Sequence, residues 1–163
     1  MKNLGSLQVT TPTDTSIVMT RIFHAPRRLV FDAMSKPEFL KQWMLGPPGW
    51  KMTECEVDQR VGGTFKHAWR HDDGQEMSMR GEYVEVDPPA RITRTETFTT
   101  GCSPQAGEQT ATMDLEETGG KTYLTLTVKF ASKEVRDGAL ASGMEHGVRA
   151  GYDRLEGLLA EMK

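Results

Sequence analysis

The sequence predicts an α+β domain, in which a curved antiparallel sheet wraps around a long C-terminal helix and two short helices follow the first strand. Toward the C-terminus, apolar residues recur at steps of three and four, which places one apolar stripe along a helix. The stripe contains Met144, Val148, Tyr152, Leu155, Leu159 and Met162. Ahead of it, six stretches that favour strands are separated by turn signals, and a run of strands beside segregated helices is typical of this class. We expect a cavity between the sheet and the helix.

Length and composition favour a single domain that needs no disulfide framework. The chain has 163 residues, and its 20 Lys and Arg against 23 Asp and Glu give a net charge of -3 with no basic block. Nucleic-acid binding is not expected, because it depends on cations that neutralise phosphates. Cys55 and Cys102 stand outside metal-ligand spacings, so we expect no metal, no cofactor and a reduced, cytoplasmic setting. No apolar run reaches the ~20 residues of a membrane span.

The chain opens with a polar, Thr-rich segment, Met1–Asp14, which we expect to be a flexible arm with one short edge strand around Leu7–Thr10. It has no apolar core of the signal-peptide kind. Residues 15–163 then form the predicted domain. The sequence leaves open whether a homodimer forms through the arm or through an edge of the sheet.

The first strand of the domain, Thr15–Phe23, carries apolar groups on both faces and is expected to be well covered. Pro26 follows it and suits the first turn of a helix, where its missing N–H has no partner to lose. Pro37 opens a second short helix. Two glycines and two prolines in residues 46–49 predict a rigid loop that ends it.

Six further strands follow, joined by short turns that contain glycine or proline. The predicted strands are Lys51–Asp58, Thr64–Arg70, Met77–Val86, Arg91–Phe98, Gln109–Glu116 and Lys121–Phe130. Ser132 then caps a helix that pauses at Gly143 and continues as the apolar stripe.

The turn at Pro88-Pro89 predicts how two of these strands pair. A short connection there places Val84 near Thr93 and Gly81 near Glu96. One face then carries Met79, Gly81 and Tyr83 beside Ile92, Arg94, Glu96 and Phe98. On an inner face, Gly81 makes room beside Glu96, and Glu96 pairs with Arg94 or with the Tyr83 hydroxyl, because a buried carboxylate is costly without a partner. The alternative is a solvated face, or a register shifted by one residue.

His67 alternates with Phe65 and Trp69 and has two interpretations. It is either the one hydrogen-bonding group in the wall of a ligand pocket, or a core histidine that bonds a backbone carbonyl. General acid–base work by His67 lacks a second group of defined geometry, so we assign no catalytic residue. Cys55 is expected to be a small buried hydrophobe. Trp43 and Trp50 either gate a pocket mouth or pin the short helices to the sheet.

Several stretches resemble the START-like, or SRPBCC, superfamily, and most closely its branch named after activators of a heat-shock chaperone ATPase. The resemblance rests on residues 21–33, 43–50, 58–63, 79–83, 88–92 and 143–147. It implies the helix-grip fold, whose cavity binds apolar small molecules in many members. The superfamily also includes lipid carriers, hormone receptors, polyketide cyclases and chaperone cofactors. This chain has His67 where an aromatic residue is expected and Arg94 where a histidine is expected, so ligand specificity cannot be carried over.

Three functions therefore stay in view. The first is binding of a small, mostly apolar molecule between the sheet and the C-terminal helix, as a carrier or sensor. The second is a cyclase- or hydrolase-type enzyme that uses polar groups in the same cavity. The third is a chaperone-cofactor-like domain that binds a protein. The candidate ligand-binding residues are Phe65, His67, Trp69, Met79, Tyr83, Arg94, Glu96, Phe98, Met113, Met144 and Val148.

Overall fold

The computed structural model describes residues 7–45, 48–100, 103–104 and 107–162. Its strands are β1 (Gln8–Thr10), β2 (Ser16–Phe23), β3 (Trp50–Val57), β4 (Thr64–His71), β5 (Glu76–Asp87), β6 (Arg91–Thr100), β7 (Ser103–Pro104), β8 (Gln109–Thr118) and β9 (Lys121–Lys129). Its helices are α1 (Arg27–Ser35), α2 (Pro37–Trp43), α3 (Lys133–Ala141) and α4 (Met144–Met162). Residues 1–6 of the predicted arm, residues 46 and 47 of the predicted loop, and Cys102 lie outside the described residues.

The strands form one antiparallel sheet with the order β1-β2-β9-β8-β6-β5-β4-β3, and β7 pairs with β6. Because β2 pairs with β9, the first and last long strands are neighbours at one end of the sheet. The short strand expected near Leu7–Thr10 is confirmed as β1, which adds to the outer edge of β2. The predicted fold class, an α+β helix-grip architecture with a long C-terminal helix, is confirmed.

The helix α4 packs its apolar stripe against the two short helices. Tyr152, Leu155 and Leu159 are buried, and the Tyr152 ring lies 5.9 Å from the ring of Trp43 on α2. Gly143, with φ at +81°, separates α4 from α3 and accounts for the predicted pause. None of the helices in the described ranges combines the length and the apolar character needed to cross a bilayer.

The pairing of β5 with β6 follows the prediction along half of its length. Met79 pairs with Phe98 and Tyr83 pairs with Arg94, which fits the predicted placement of Gly81 near Glu96. The predicted neighbour of Thr93 was wrong by one residue: Glu85 pairs with it, since the register shifts between Tyr83 and Glu85. The bulge inserts one extra residue and turns two consecutive side chains of β5 outward.

Candidate functional site

The inner faces of β4, β5 and β6 bring the predicted aromatic and polar residues together. Period-two alternation turns Phe65, His67 and Trp69 of β4 inward, where their exposed fractions are 2%, 0% and 5%. Met79 is the cross-strand partner of His67 on β5, and it is also buried. These side chains form a continuous wall on the concave side of the sheet.

Two charged side chains and one amide form the centre of the site, and we call Arg94, Glu96 and Gln109 the polar triad. Arg94 Nε donates to Glu96 Oε2 at 2.9 Å, and Gln109 Nε2 donates to Glu96 Oε1 at 2.9 Å. The side chains of Arg94 and Glu96 are 19% and 9% exposed. Both carboxylate oxygens therefore have a donor, which a nearly buried carboxylate requires.

The structure decides between the two predicted partners of Glu96, because Arg94 makes the ion pair. Arg94 also lies over the face of Phe65, with its guanidinium carbon 3.9 Å from the ring centroid. A cation over an aromatic face is attracted to the ring quadrupole. The Phe65 ring is in turn 5.7 Å from that of Tyr83. Burial raises the pKa of Tyr83, and the neighbouring Arg94 opposes that rise.

Gln109 was missed by the sequence interpretation. It reaches Glu96 because β8 lies on the other side of β6, where the two residues are cross-strand partners. The connection from β6 to β8 is longer than the two-residue hairpin turns that fix a register, so the sequence did not predict this pairing. The sequence analysis placed Gln109 at the start of a predicted strand and assigned it no role.

His67 is a buried polar group of the site that makes no hydrogen bond with the described residues. Neither ring nitrogen has a hydrogen-bond partner among the described residues, although the side chain is fully buried. Phe65 and Trp69 flank the imidazole, with ring centroids at 5.1 and 6.0 Å. The described residues supply no backbone carbonyl to either nitrogen, so the alternative of a core histidine bonded in that way is wrong for this part of the chain. Burial, followed by the positive charge of Arg94, lowers the pKa of His67 to about 3.

The half-buried thiol of Cys55 lies beside His67, because the two residues are cross-strand partners on β3 and β4. Burial raises the pKa of the Cys55 thiol, and the positive charges of Lys41 and Arg94 oppose that rise. A thiol with a raised pKa stays protonated and is a poor nucleophile. The expectation that Cys55 is a small apolar residue fits this environment.

The tryptophans tie the short helices into the structure. The Trp43 indole N–H donates to the Ala33 carbonyl at 2.8 Å, which holds α2 against α1. The Trp69 indole N–H donates to the Met44 carbonyl at 2.8 Å, which holds the end of α2 to β4. The ring of Trp50 packs edge-on against His71 at 5.2 Å. The Trp43 bond therefore joins the two short helices to each other, and it is Trp69 that ties the end of α2 to the sheet.

The helix α4 supplies the facing side of the site. Burial raises the pKa of Tyr152; the charge of Glu96 adds to that rise, whereas Arg21 and Arg94 oppose it. The Tyr152 hydroxyl therefore lies within electrostatic reach of the polar triad. Met144 and Val148, at the start of α4, are half-buried and pack against the core. Of the other predicted residues, Phe98 pairs with Met79, and Met113 is buried on β8.

Arg21 is a second buried charge that the sequence interpretation did not place in the site. Its side chain is 4% exposed on β2, and its Nη1 donates to Asp153 Oδ1 of α4 at 2.7 Å. The Arg21 Nε has no partner among the described residues. The ion pair joins the buried side of β2 to an Asp153 side chain that is 66% exposed on α4.

The described residues do not bring three metal-ligating side chains together at any point. Two open surface depressions are formed by described residues, and both lie near Arg27 and Glu116, away from His67. The wall around His67 is closed to solvent in this conformation. The arrangement can hold an uncharged group against His67 if neighbouring side chains move.

Comparison with known proteins agrees with this architecture. The family model described as Activator of Hsp90 ATPase homolog 1-like protein matches residues 24–160. The crystal structure of a Rhodobacter sphaeroides protein is similar with a TM-score of 0.89 at 28% identity, covering 96% of this chain and 99% of that chain. The solution structure of a Staphylococcus epidermidis protein gives a TM-score of 0.80 at 28% identity, covering 96% and 95%. A comparison with curated proteins finds no match.

A third solved structure bears on the fold alone. The crystal structure of a Mycobacterium smegmatis protein is similar with a TM-score of 0.82 at 24% identity, covering 93% of this chain and 95% of that chain.

The predicted START-like resemblance is confirmed by these matches and by the sheet order, and it supports a ligand-binding domain of this fold. Because the family model spans most of the chain, the protein belongs to the family of Activator of Hsp90 ATPase homolog 1-like proteins.

Proposed function

We propose that this protein binds a small, mostly apolar molecule between the inner face of β4–β6 and α4, as a carrier or sensor. The observation that carries the proposal is His67, which is fully buried while both of its ring nitrogens lack a hydrogen-bond partner among the described residues. An unfilled buried polar group costs about 1–3 kcal/mol. A bound molecule that hydrogen-bonds the imidazole would recover that free energy.

The surrounding side chains suit an apolar ligand. Phe65, Trp69 and Tyr83 present aromatic rings, and Met79 and Met113 are unbranched and flexible. Methionine side chains adapt to irregular shapes. Since His67 is closed to solvent in this conformation, a ligand reaches it only when such side chains move. The half-buried Met144 at the start of α4 is a further adaptable residue on the opposite side.

The same geometry favours holding a molecule over transferring protons. Both oxygens of Glu96 already accept hydrogen bonds, from Arg94 and Gln109. A histidine with a pKa of about 3 is a weak base at neutral pH, and a tyrosine with a raised pKa is a weak acid. An enzyme that used Glu96 and His67 as acid and base would lose its turnover when these two residues were replaced. Loss of turnover after Glu96→Gln and His67→Gln would therefore favour that function instead.

The test is native mass spectrometry of the protein purified from its own host, followed by denaturation and identification of any released molecule. We expect one apolar molecule per chain. The matched variants are Met79→Phe on the inner face and Val84→Phe at a position that is 54% exposed. Met79→Phe should reduce the bound fraction, whereas Val84→Phe should leave it unchanged. The spectrum of the unaltered protein also gives the number of chains per particle.

Two results would contradict the proposal. One is an empty chain that also gives no thermal shift with a panel of lipids and aromatic compounds. The other is equal loading of both phenylalanine variants, which would place the molecule elsewhere. An empty chain that instead retains a chaperone in stoichiometric amounts would favour the protein-binding alternative.

A further inference from the structure

The charges of Arg94 and Glu96 balance each other inside the protein, and this limits which ligands the site can hold. The carboxylate of Glu96 is neutralised by Arg94 at 2.9 Å, and its second oxygen is filled by Gln109. The charge of Arg21 is paired at 2.7 Å with Asp153, whose side chain is 66% exposed, and its Nε has no partner among the described residues. A carboxylate on the ligand would be buried beside Glu96, and an ammonium would be buried beside Arg94. Each would carry a desolvation cost without a free counter-charge among these residues.

His67 limits the polar group that the ligand can present. In its neutral form, an imidazole has one nitrogen that donates and one that accepts. The environment keeps His67 neutral, since it is fully buried and the positive charge of Arg94 disfavours a second cation beside it. A hydroxyl group both donates and accepts, so it can meet either nitrogen whichever tautomer is present. A methyl group of the same size can meet neither.

The flanking rings limit the remainder of the ligand. Phe65 and Trp69 stand on either side of the imidazole, and Phe65 also contacts Tyr83. Aromatic rings pack favourably in offset or edge-to-face geometries, which favours a flat aromatic ligand.

We propose that the ligand is an uncharged aromatic molecule that carries a hydroxyl group, and that this hydroxyl hydrogen-bonds His67 between Phe65 and Trp69. This inference rests on the proposed binding function and adds the chemical class of the ligand. His67 is the residue that selects the hydroxyl, and the polar triad excludes charged analogues.

The test uses four probes of nearly equal size: naphthol, methylnaphthalene, naphthoate and naphthylmethylammonium, all substituted at the same ring position. Isothermal titration calorimetry at neutral pH gives their affinities for the unaltered protein. We expect naphthol to bind about tenfold more tightly than methylnaphthalene, the free energy of about one well-formed hydrogen bond. Both charged probes should bind more weakly than methylnaphthalene.

Three variants assign the preference to His67. His67→Phe should remove the preference for naphthol while it keeps binding of methylnaphthalene, because the side chain remains aromatic. His67→Gln should keep part of the preference, since an amide also donates and accepts. His146→Phe, at an exposed position on α4, is the matched control and should behave as the unaltered protein does.

The outcomes separate this inference from the proposed function. If naphthol and methylnaphthalene bind equally, or if naphthoate binds most tightly, the assignment of the ligand class is overturned and a binding function still stands. If His67→Phe keeps the full preference for naphthol, the role of His67 is overturned. If no probe binds and the protein from its host is also empty, the proposed function and this inference both fail. The ranking of the four probes needs no variant, so it tests the charge argument even if His67→Phe does not fold.

Discussion

The backbone of Gly81 on β5 lies directly against the backbone of Thr95 on β6, so that a Cβ at position 81 would overlap with the Thr95 carbonyl oxygen. The sequence interpretation expected Gly81 to make room for the side chain of Glu96. That reason is incomplete, because the close approach is between two backbones. The ring of Phe65 also lies 3.0 Å from the same Cβ position, so a side chain at position 81 would contact this ring as well.

Gly81→Ala should therefore destabilise the protein strongly. Overpacking against a backbone forces strands apart, and we expect a loss of about 3 kcal/mol in the free energy of unfolding. Urea denaturation measures it. Gly157→Ala is the matched control, because a Cβ at this position on α4 would meet no described atom within 4 Å beyond its chain neighbours and the nearby backbone of its own helix. That control should gain up to about 1 kcal/mol from helix propensity. Equal midpoints for the two variants would contradict the close approach.

The ion pair inside the polar triad predicts a non-additive effect on stability. Glu96→Gln should cost about 2–3 kcal/mol, because it leaves the mostly buried Arg94 without a counter-charge. The double variant Arg94→Met with Glu96→Leu should recover most of this loss, since it removes both charges together. A double-mutant cycle by chemical denaturation, completed with the single variants Arg94→Met and Glu96→Leu, measures the coupling.

The control for this cycle is the exposed pair of Lys66 and Glu54, whose side chains are 45% and 44% exposed. Glu54→Gln should change the free energy of unfolding by less than about 1 kcal/mol. If Glu96→Gln behaved in the same way, Arg94 would be solvated well enough to need no partner.

His67 predicts a loss of stability in mild acid. Its pKa falls from 6.5 to about 3 on folding, so below pH 6.5 the unfolded chain binds a proton that the folded protein does not. The free energy of unfolding should therefore fall as the pH drops from 6.5 toward 3, by at most about 1.4 kcal/mol per pH unit. Above pH 6.5 this contribution is constant.

Thermal unfolding between pH 7.5 and pH 4 measures this dependence. His67→Gln cannot take up the proton, so it should show a shallower decline over the same range. His71→Gln, at the partly exposed end of β4, should keep the slope of the unaltered protein. Parallel curves for all three proteins would mean that His67 is hydrated or protonated in the folded state.

The hydrogen bond from the Trp69 indole to the Met44 carbonyl predicts a local change in mobility. Trp69→Phe keeps a ring but removes the donor, and we expect a cost of about 1 kcal/mol. Hydrogen exchange should become faster at the end of α2 and the start of β3. Trp43→Phe, which removes the bond to the Ala33 carbonyl, should instead act on α1 and α2. Identical exchange patterns for the two variants would show that neither bond has a local role.

The parts of this site that could be predicted are those set by short connections. The turn at Pro88-Pro89 limits the pairing of β5 with β6 to a few registers, and period-two alternation then places Arg94 and Glu96 on one face. The bulge between Tyr83 and Glu85 could not be predicted in this way, because the composition of the strand gives no sign of the extra residue. One inserted residue was enough to misplace Val84.

The contacts between distant segments could not be predicted from local pattern. Gln109 reaches Glu96 only when β8 has docked beside β6, and Asp153 reaches Arg21 only when α4 has packed across the sheet. The sequence also could not predict that both ring nitrogens of His67 lack a partner, because hydrogen-bond satisfaction depends on every neighbour of a buried group. Alternation predicted that His67 was on the face of Phe65 and Trp69, and left its partners open.

Arg94 and Glu96 stand two positions apart on one strand. The two charges that balance each other in this part of the interior are therefore encoded within three consecutive residues. A relative that replaces only one of the two residues acquires an unbalanced interior charge. Replacement of both residues leaves no charge at either position. These two positions therefore determine together whether this part of the interior carries a net charge.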